Sequence, residues 1–137
     1  MSEKDVIERS DKVYTKKILI KEFEKIGLKP KMNLIIHSSL SKIGWITGGP
    51  VTVIQALMEV ITKEGTIIMP AHSGDYSDPT EWSNPPVPEE WIEDIKENMP
   101  AFRKEITPTR GIGIIPEIFR TFPEVMRSYH PCFSFTE

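Results

Sequence analysis

Cysteine is nearly absent from this sequence. The single thiol, Cys132, has no partner for an internal disulfide, and the opening residues Met-Ser-Glu-Lys-Asp-Val lack the apolar centre of a secretory leader. The expected setting is therefore a reducing cytoplasm. No run approaches the roughly 18 apolar residues that a membrane helix needs, so no integral membrane role is expected. An excess of one charge is missing too. Seventeen Lys and Arg stand against 20 Asp and Glu, a net charge of −3, and nothing in that balance calls for nucleic acid.

Several chemical signatures are also missing. Gly-x-x-x-x-Gly-Lys-Ser/Thr does not occur, and Gly111-Ile112-Gly113 has no third glycine at dinucleotide-binding spacing. His37-Ser38-Ser39 at a strand end invites a hydrolase reading, but the Gly-x-Ser-x-Gly elbow is absent. Neighbours on a strand point to opposite faces, so His37 is badly placed to serve Ser38 as a base. His72, Asp75, His130 and Cys132 are the candidates for metal ligands. No pair of them has zinc-finger or His-Glu-x-x-His spacing, and no metal is expected.

What remains is an α/β pattern in a chain of 137 residues, long enough for one domain spanning 1–137. Residues 1–14 form a polar segment. Thr15 caps a predicted helix at 16–26, with Leu19, Phe23 and Ile26 on one side and Gly27 as its stop. A strand follows at 33–37. Gly48-Gly49-Pro50 starts a helix at 51–62, whose stripe of Val53, Ile54, Leu57, Met58 and Ile61 predicts deep burial. Thr66 to Met69 is a second strand, so strand, crossover helix and strand make a βαβ unit with parallel strands. The expected architecture is a mixed or parallel sheet flanked by helices.

Five of the twelve prolines fall in residues 70–88, a long acidic loop that is expected to be functional. A helix is predicted from Pro88 to Asn98, with Trp91, Ile95 and Met99 along one side. Another is predicted from Ile114 to Phe122, and a third extended piece begins in Arg127 to Phe135. Two junctions, Gly48-Gly49 and Gly111-Ile112-Gly113, each combine glycine with a helix start. Such junctions offer backbone N–H groups to an anion, and with Arg110 they suit a phosphorylated cofactor. Residues 71–99 carry eight acids, Asp75 to Glu97, against the one base Lys96, a pattern that would attract a polycationic small molecule if it rims a cleft.

Five blocks in order, Ile36 to Gly49, Glu64 to Pro70, Pro100-Ala101-Phe102, Thr107 to Gly113 and Arg127 to Phe135, resemble the aminoglycoside 3-N-acetyltransferases of the antibiotic N-acetyltransferase family. The resemblance implies acetyl transfer from acetyl-CoA to an amine of an aminoglycoside, as in antibiotic resistance. It implies a coenzyme site of Ser38, Ser39, Leu40, Trp45, Gly48, Gly49, Thr109, Arg110, Gly111 and Ile112, and assigns Asp75 and Tyr76 to the aminoglycoside or another polyamine. Family members continue for about as much chain again, into a Thr-x-x-His-x-x-Glu-like segment thought to hold the catalytic histidine. None of His37, His72 and His130 matches that segment, so no catalytic base is assigned.

The chain thus reads as a truncated form of a larger α/β domain. It is expected either to act as an acetyltransferase or to be a catalytically inactive CoA-binding fragment or binding-only module. In a half-domain, strands 33–37 and 66–69 would leave edges and apolar faces uncovered. Homodimerisation, aggregation or marginal stability is the expected result in analytical ultracentrifugation and thermal melting, and a monomer with a cooperative melt would contradict it.

Overall fold

The structure is a computed structural model, which describes residues 1–132, 135 and 136. Its elements in chain order are α1 (Glu3–Arg9), α2 (Lys16–Lys25), β1 (Asn33–Ile35), α3 (Leu40–Ile43), α4 (Gly49–Ile61), β2 (Thr66–Pro70), α5 (Ile92–Asn98), α6 (Ile114–Phe119) and β3 (Phe135–Thr136). Strands β1 and β2 pair in parallel, with Leu34 opposite Ile67, and β3 pairs antiparallel on the other side of β2. The class is mixed α/β, as the spacing predicts. No helix among the described residues is long and apolar enough to cross a membrane.

The crossover helix carries the core. Pro50 sits in the first turn of α4, where its missing N–H costs nothing, and Val53, Ile54, Ala56, Leu57, Val60 and Ile61 are buried against α2, α6 and β2. Met58, expected in that stripe, is instead 41% exposed. Positions 53, 56, 57, 60 and 61 share one helical face, and 58 lies off it. Leu19 of α2 joins this core from one side and Phe119 of α6 from another. Thr15 caps α2 by accepting from the Ile18 N–H, and Gly27, at φ 106°, follows the helix.

Element ends differ from the sequence expectations for local reasons. Strand β1 stops at Ile35 rather than at residue 37. After Ile36 donates to the Ile68 carbonyl at 2.8 Å, the next ladder bond would need an N–H from Pro70, which has none. Helix α6 ends at Phe119, short of Phe122. Thr121 Oγ donates back to the Ile118 carbonyl at 2.6 Å, and Pro123 steers the residue before it out of helical geometry. The predicted helix after Pro88 splits into a 3₁₀ turn, Glu89–Trp91, and then α5, and Trp91 is 55% exposed rather than packed. Residues 1–14 are not merely a polar segment. Ser2 and Asp5 form a reciprocal capping box that starts α1.

Two braces fix the loops beyond the sheet. Arg127 is only 6% exposed and donates to the carbonyls of Ala71 (2.8 Å), Thr107 and Lys104 (3.3 Å), and to Ser73 Oγ (2.9 Å). Ser73 Oγ in turn donates to the Pro108 carbonyl at 2.8 Å, so the end of β2 is tied to residues 107–108. The Glu117 carboxylate accepts from the Thr109 N–H and hydroxyl and from Arg120. Burial alone would raise the Glu117 carboxyl, but the hydrogen bonds from Arg120 and Thr109 outweigh it and hold the group below its ordinary value.

Replacing Arg127 by Met strands several buried acceptors, each worth about 1–3 kcal/mol when unsatisfied. The expected loss of about 3 kcal/mol lowers the thermal midpoint by roughly 10 °C, and a drop of less than about 3 °C would refute the brace. A depressed carboxyl adds stability above its unfolded pKa and loses it as pH falls through the folded value. The Glu117 contribution is thus present at neutral pH and fades below the ordinary carboxyl value of 4.5. Urea melts should show Glu117→Gln less stable than wild type at pH 7, with the gap closing on acidification; a gap independent of pH would disprove the assignment.

Candidate functional site

Parallel strands release their chains at the same end. From β1 come His37, Ser38 and Ser39, which lead through α3 to Trp45 and the start of α4, and Pro70 stands at the matching end of β2. Gly111 to Ile114 enter α6 beside them. Together with α1 these segments enclose a cleft of about 950 Å³ at the carboxyl ends of the parallel strands, the place where open α/β sheets hold ligands.

Its lining suits an elongated ligand with an anionic end. Leu40, Trp45, Ile46, Ile112 and Pro116 form apolar wall. Gly48, the residue before α4, has φ 82° and supplies no side-chain cap, so the positive end of a 13-residue helix borders the cleft. An added Cβ at Gly48 would meet Thr52 Oγ at 2.3 Å, so only glycine fits. Gly113, at φ 85°, brings the start of α6 toward the Ser38 carbonyl, 3.8 Å from where a Cβ would stand. Ser38 Oγ is buried and has no hydrogen-bond partner among the described residues. A buried hydroxyl left unsatisfied is costly, and a ligand in the cleft can satisfy it.

Eight of the ten coenzyme-site candidates lie on this one cleft: Ser38, Ser39, Leu40, Trp45, Gly48, Gly49, Gly111 and Ile112. Trp45 is half-buried, with its indole N–H donated to Glu3 at 3.0 Å. Thr109 and Arg110 are not among the lining residues. The Thr109 N–H and hydroxyl are both spent on Glu117, and the backbone of Arg110 is bridged to the 72–73 segment, donating to the His72 carbonyl at 2.8 Å. Arg110 instead faces a second cavity of about 430 Å³, shared with Asp75, Trp82 and Gly111. Gly111 lines both cavities, so the two adjoin.

Asp75 Oδ1 is buried in that region without a hydrogen-bond partner among the described residues. Tyr76 stacks edge-on against Phe102 at 6.1 Å and does not line the second cavity. The remaining acids of the 71–99 stretch are exposed: Asp78 caps a turn by accepting from the Thr80 N–H, and Glu81 to Glu97 form a solvated face. Cys132 donates its N–H to His130 Nδ1 at 3.2 Å, and the His72 ring meets Phe135 edge-on at 5.3 Å. No group of three His, Cys, Asp or Glu side chains comes together among the described residues.

Sequence reasoning missed one whole wall of the cleft, made by Met1 and by Glu3 and Val6 of α1. The available signal was Ser2 followed three residues later by Asp5, a capping box with aspartate in the usual place of glutamate. Arg127 and Ser73 were missed because their role is to hold distant loops, and no local pattern announces that.

The chain as a whole is similar to known proteins. Residues 35–137 match the family described as aminoglycoside 3-N-acetyltransferase. Over 133 residues the chain is 53% identical to the SPbeta prophage-derived aminoglycoside N(3')-acetyltransferase-like protein YokD of Bacillus subtilis strain 168, covering 96% of this chain and 49% of that one. The crystal structure of YokD superposes with a TM-score of 0.92 at 52% identity, covering 97% of this chain and 50% of that one. Aminoglycoside N(3)-acetyltransferase VIII of Streptomyces fradiae is 32% identical over 136 residues, which cover 98% of this chain and 46% of its own. AAC-IIIb, solved as a binary complex with CoASH, superposes with a TM-score of 0.75 at 27% identity, covering 91% of this chain and 46% of that one. The chain spans about half the length of the curated relatives it matches. By the span of its family match and by its likeness to these proteins, the chain belongs to the aminoglycoside 3-N-acetyltransferase family.

Proposed function

We propose that the 950 Å³ cleft holds acetyl-CoA and that the chain serves acetyl transfer to an amine of an aminoglycoside. The observation that carries this reading is the gathering of eight coenzyme-site candidates around one cleft that also contains the unpartnered Ser38 hydroxyl. The start of α4, behind Gly48 and Gly49, suits the phosphates of the coenzyme. Leu40, Trp45 and Ile112 suit its uncharged arm, and Ser38 Oγ, buried without a protein partner among the described residues, suits a hydrogen bond to it. The complex of AAC-IIIb with CoASH supports the choice of cofactor, because that protein shares this fold and family.

In the transfer the neutral amine attacks the thioester carbonyl, a C–N bond forms, the C–S bond breaks, the amine proton passes to a base, and coenzyme A leaves as a thiolate that takes up that proton to become the thiol. Asp75 is the residue suited to an aminoglycoside ammonium group. Its buried, unpartnered carboxylate oxygen lies by the cavity that adjoins the coenzyme cleft through Gly111. A cation next to it would satisfy the charge. His37 lines the cleft but is solvent-exposed, and the role of base is left unassigned.

Isothermal titration of the 137-residue chain with acetyl-CoA, followed by an aminoglycoside with thiol release recorded, tests the proposal. Binding with release supports transfer; binding without release reduces the role of this chain to holding the coenzyme; no binding refutes the cofactor assignment. Ser38→Ala is expected to weaken acetyl-CoA about five- to tenfold, the worth of one hydrogen bond, while leaving the thermal midpoint equal or higher because an unsatisfied hydroxyl is removed. Unchanged affinity would place the ligand elsewhere.

A further inference from the structure

Helix α1 lines the coenzyme cleft with Val6 half-buried and no residue fully buried, so no fully buried apolar footing holds it there. Polar links do, and they converge on one residue. The Glu3 carboxylate accepts the Trp45 indole N–H at 3.0 Å. Ser10 Oγ donates to the Val6 carbonyl at 2.7 Å and accepts the Trp45 backbone N–H at 2.8 Å. Tyr14 donates its N–H to the Trp45 carbonyl at 3.0 Å. Gly44 keeps the approach close: a Cβ there would stand 3.0 Å from the Tyr14 ring and 3.2 Å from Ser10 Oγ.

The backbone of Trp45 is therefore fixed by Ser10 and Tyr14, and its indole is fixed by Glu3. Indole has a single polar handle, a donor, and Glu3 takes it. Without that acceptor a half-buried ring at a cleft wall is free to turn about its two side-chain torsions, and the wall loses its shape. We propose that Glu3 is a positioning residue for the coenzyme site: it holds the Trp45 indole as a rigid wall and, through the same bond, docks α1 over the cleft. Glu3 acts through Trp45 rather than on the ligand. The inference rests on the acetyl-CoA reading of the cleft and deepens it, because it makes the first helix part of the site.

Two substitutions in the full chain separate the bond from the bulk and the charge. Glu3→Ala removes the acceptor, while Glu3→Gln keeps a carbonyl oxygen in its place and discards the charge. Since Glu3 is exposed and no residue of α1 is fully buried, neither is expected to move the global melt. The Trp45 indole N–H resonance, assigned with Trp45→Phe, reads the positioning without any ligand, and titration reads its consequence. Glu3→Ala should shift that resonance, speed its exchange with solvent and weaken acetyl-CoA about five- to tenfold, while Glu3→Gln stays near wild type in all three. An unmoved resonance, an affinity within about twofold of wild type, or a Glu3→Gln variant that behaves like Glu3→Ala overturns the role. If wild type itself fails to bind acetyl-CoA, the coenzyme reading falls and takes this role with it; if wild type binds and Glu3→Ala binds as tightly, the positioning role alone falls.

Discussion

The parallel pairing of β1 with β2 is the constraint on which the rest of the molecule depends. Two parallel strands in one sheet need a crossover, and here the crossover is α4, whose apolar face supplies much of the core. The same pairing sends residues 37–49 and Pro70 out at one end, where α4 begins. A ligand cleft bordered by a helix start follows from that topology before any side chain is considered. Pro70 sharpens it. By ending the β1 ladder after Ile36, it frees the backbone from His37 onward to turn outward rather than continue in the sheet.

Topology brings the loops to one end, and buried polar groups keep them in place. Arg127 collects three carbonyls from two separate segments, Ala71 and the 104–107 turn, and Ser73 passes the tie on to Pro108. Burial and the nearby charge of Arg120 push the Arg127 guanidinium down from its ordinary pKa, but a guanidinium keeps its proton across the physiological range and suits a permanent clamp. Glu117 plays a corresponding part for residues 109–113. Its carboxylate holds Thr109 away from the cleft and leaves the glycines that follow to form its floor.

Much of this was legible in the sequence. The 3.6-residue stripe of α4, the Thr15 cap, the β-rich run ended by Pro70 and the glycine pair before Pro50 are local signals, and local physics answered them with the expected elements. Ser38, Ser39, Trp45, Gly48 and Gly49 stand on one loop between a strand and a helix, so their convergence was also legible. That Thr109 and Arg110 do not line the cleft with them was not legible, because glycine-bearing loops resemble one another in sequence, while the direction each residue faces is set by partners such as Glu117 and His72 that lie elsewhere in the chain. The acidic stretch misled in the same way: its composition was plain, but apart from Asp75 it faces solvent.

By itself the sequence determined the class of fold, the parallel βαβ unit and the end of the sheet at which the cleft opens, since hydrophobic period, capping and turn chemistry act over a few residues. Only the tertiary structure decided that α1 walls the cleft through Glu3 and Trp45, that the Ser38 hydroxyl is buried without a partner, and that Arg127 ties together segments as distant in sequence as Ala71 and Lys104. Those are contacts between residues 20 to 56 positions apart, and no local spacing encodes which donor will meet which acceptor.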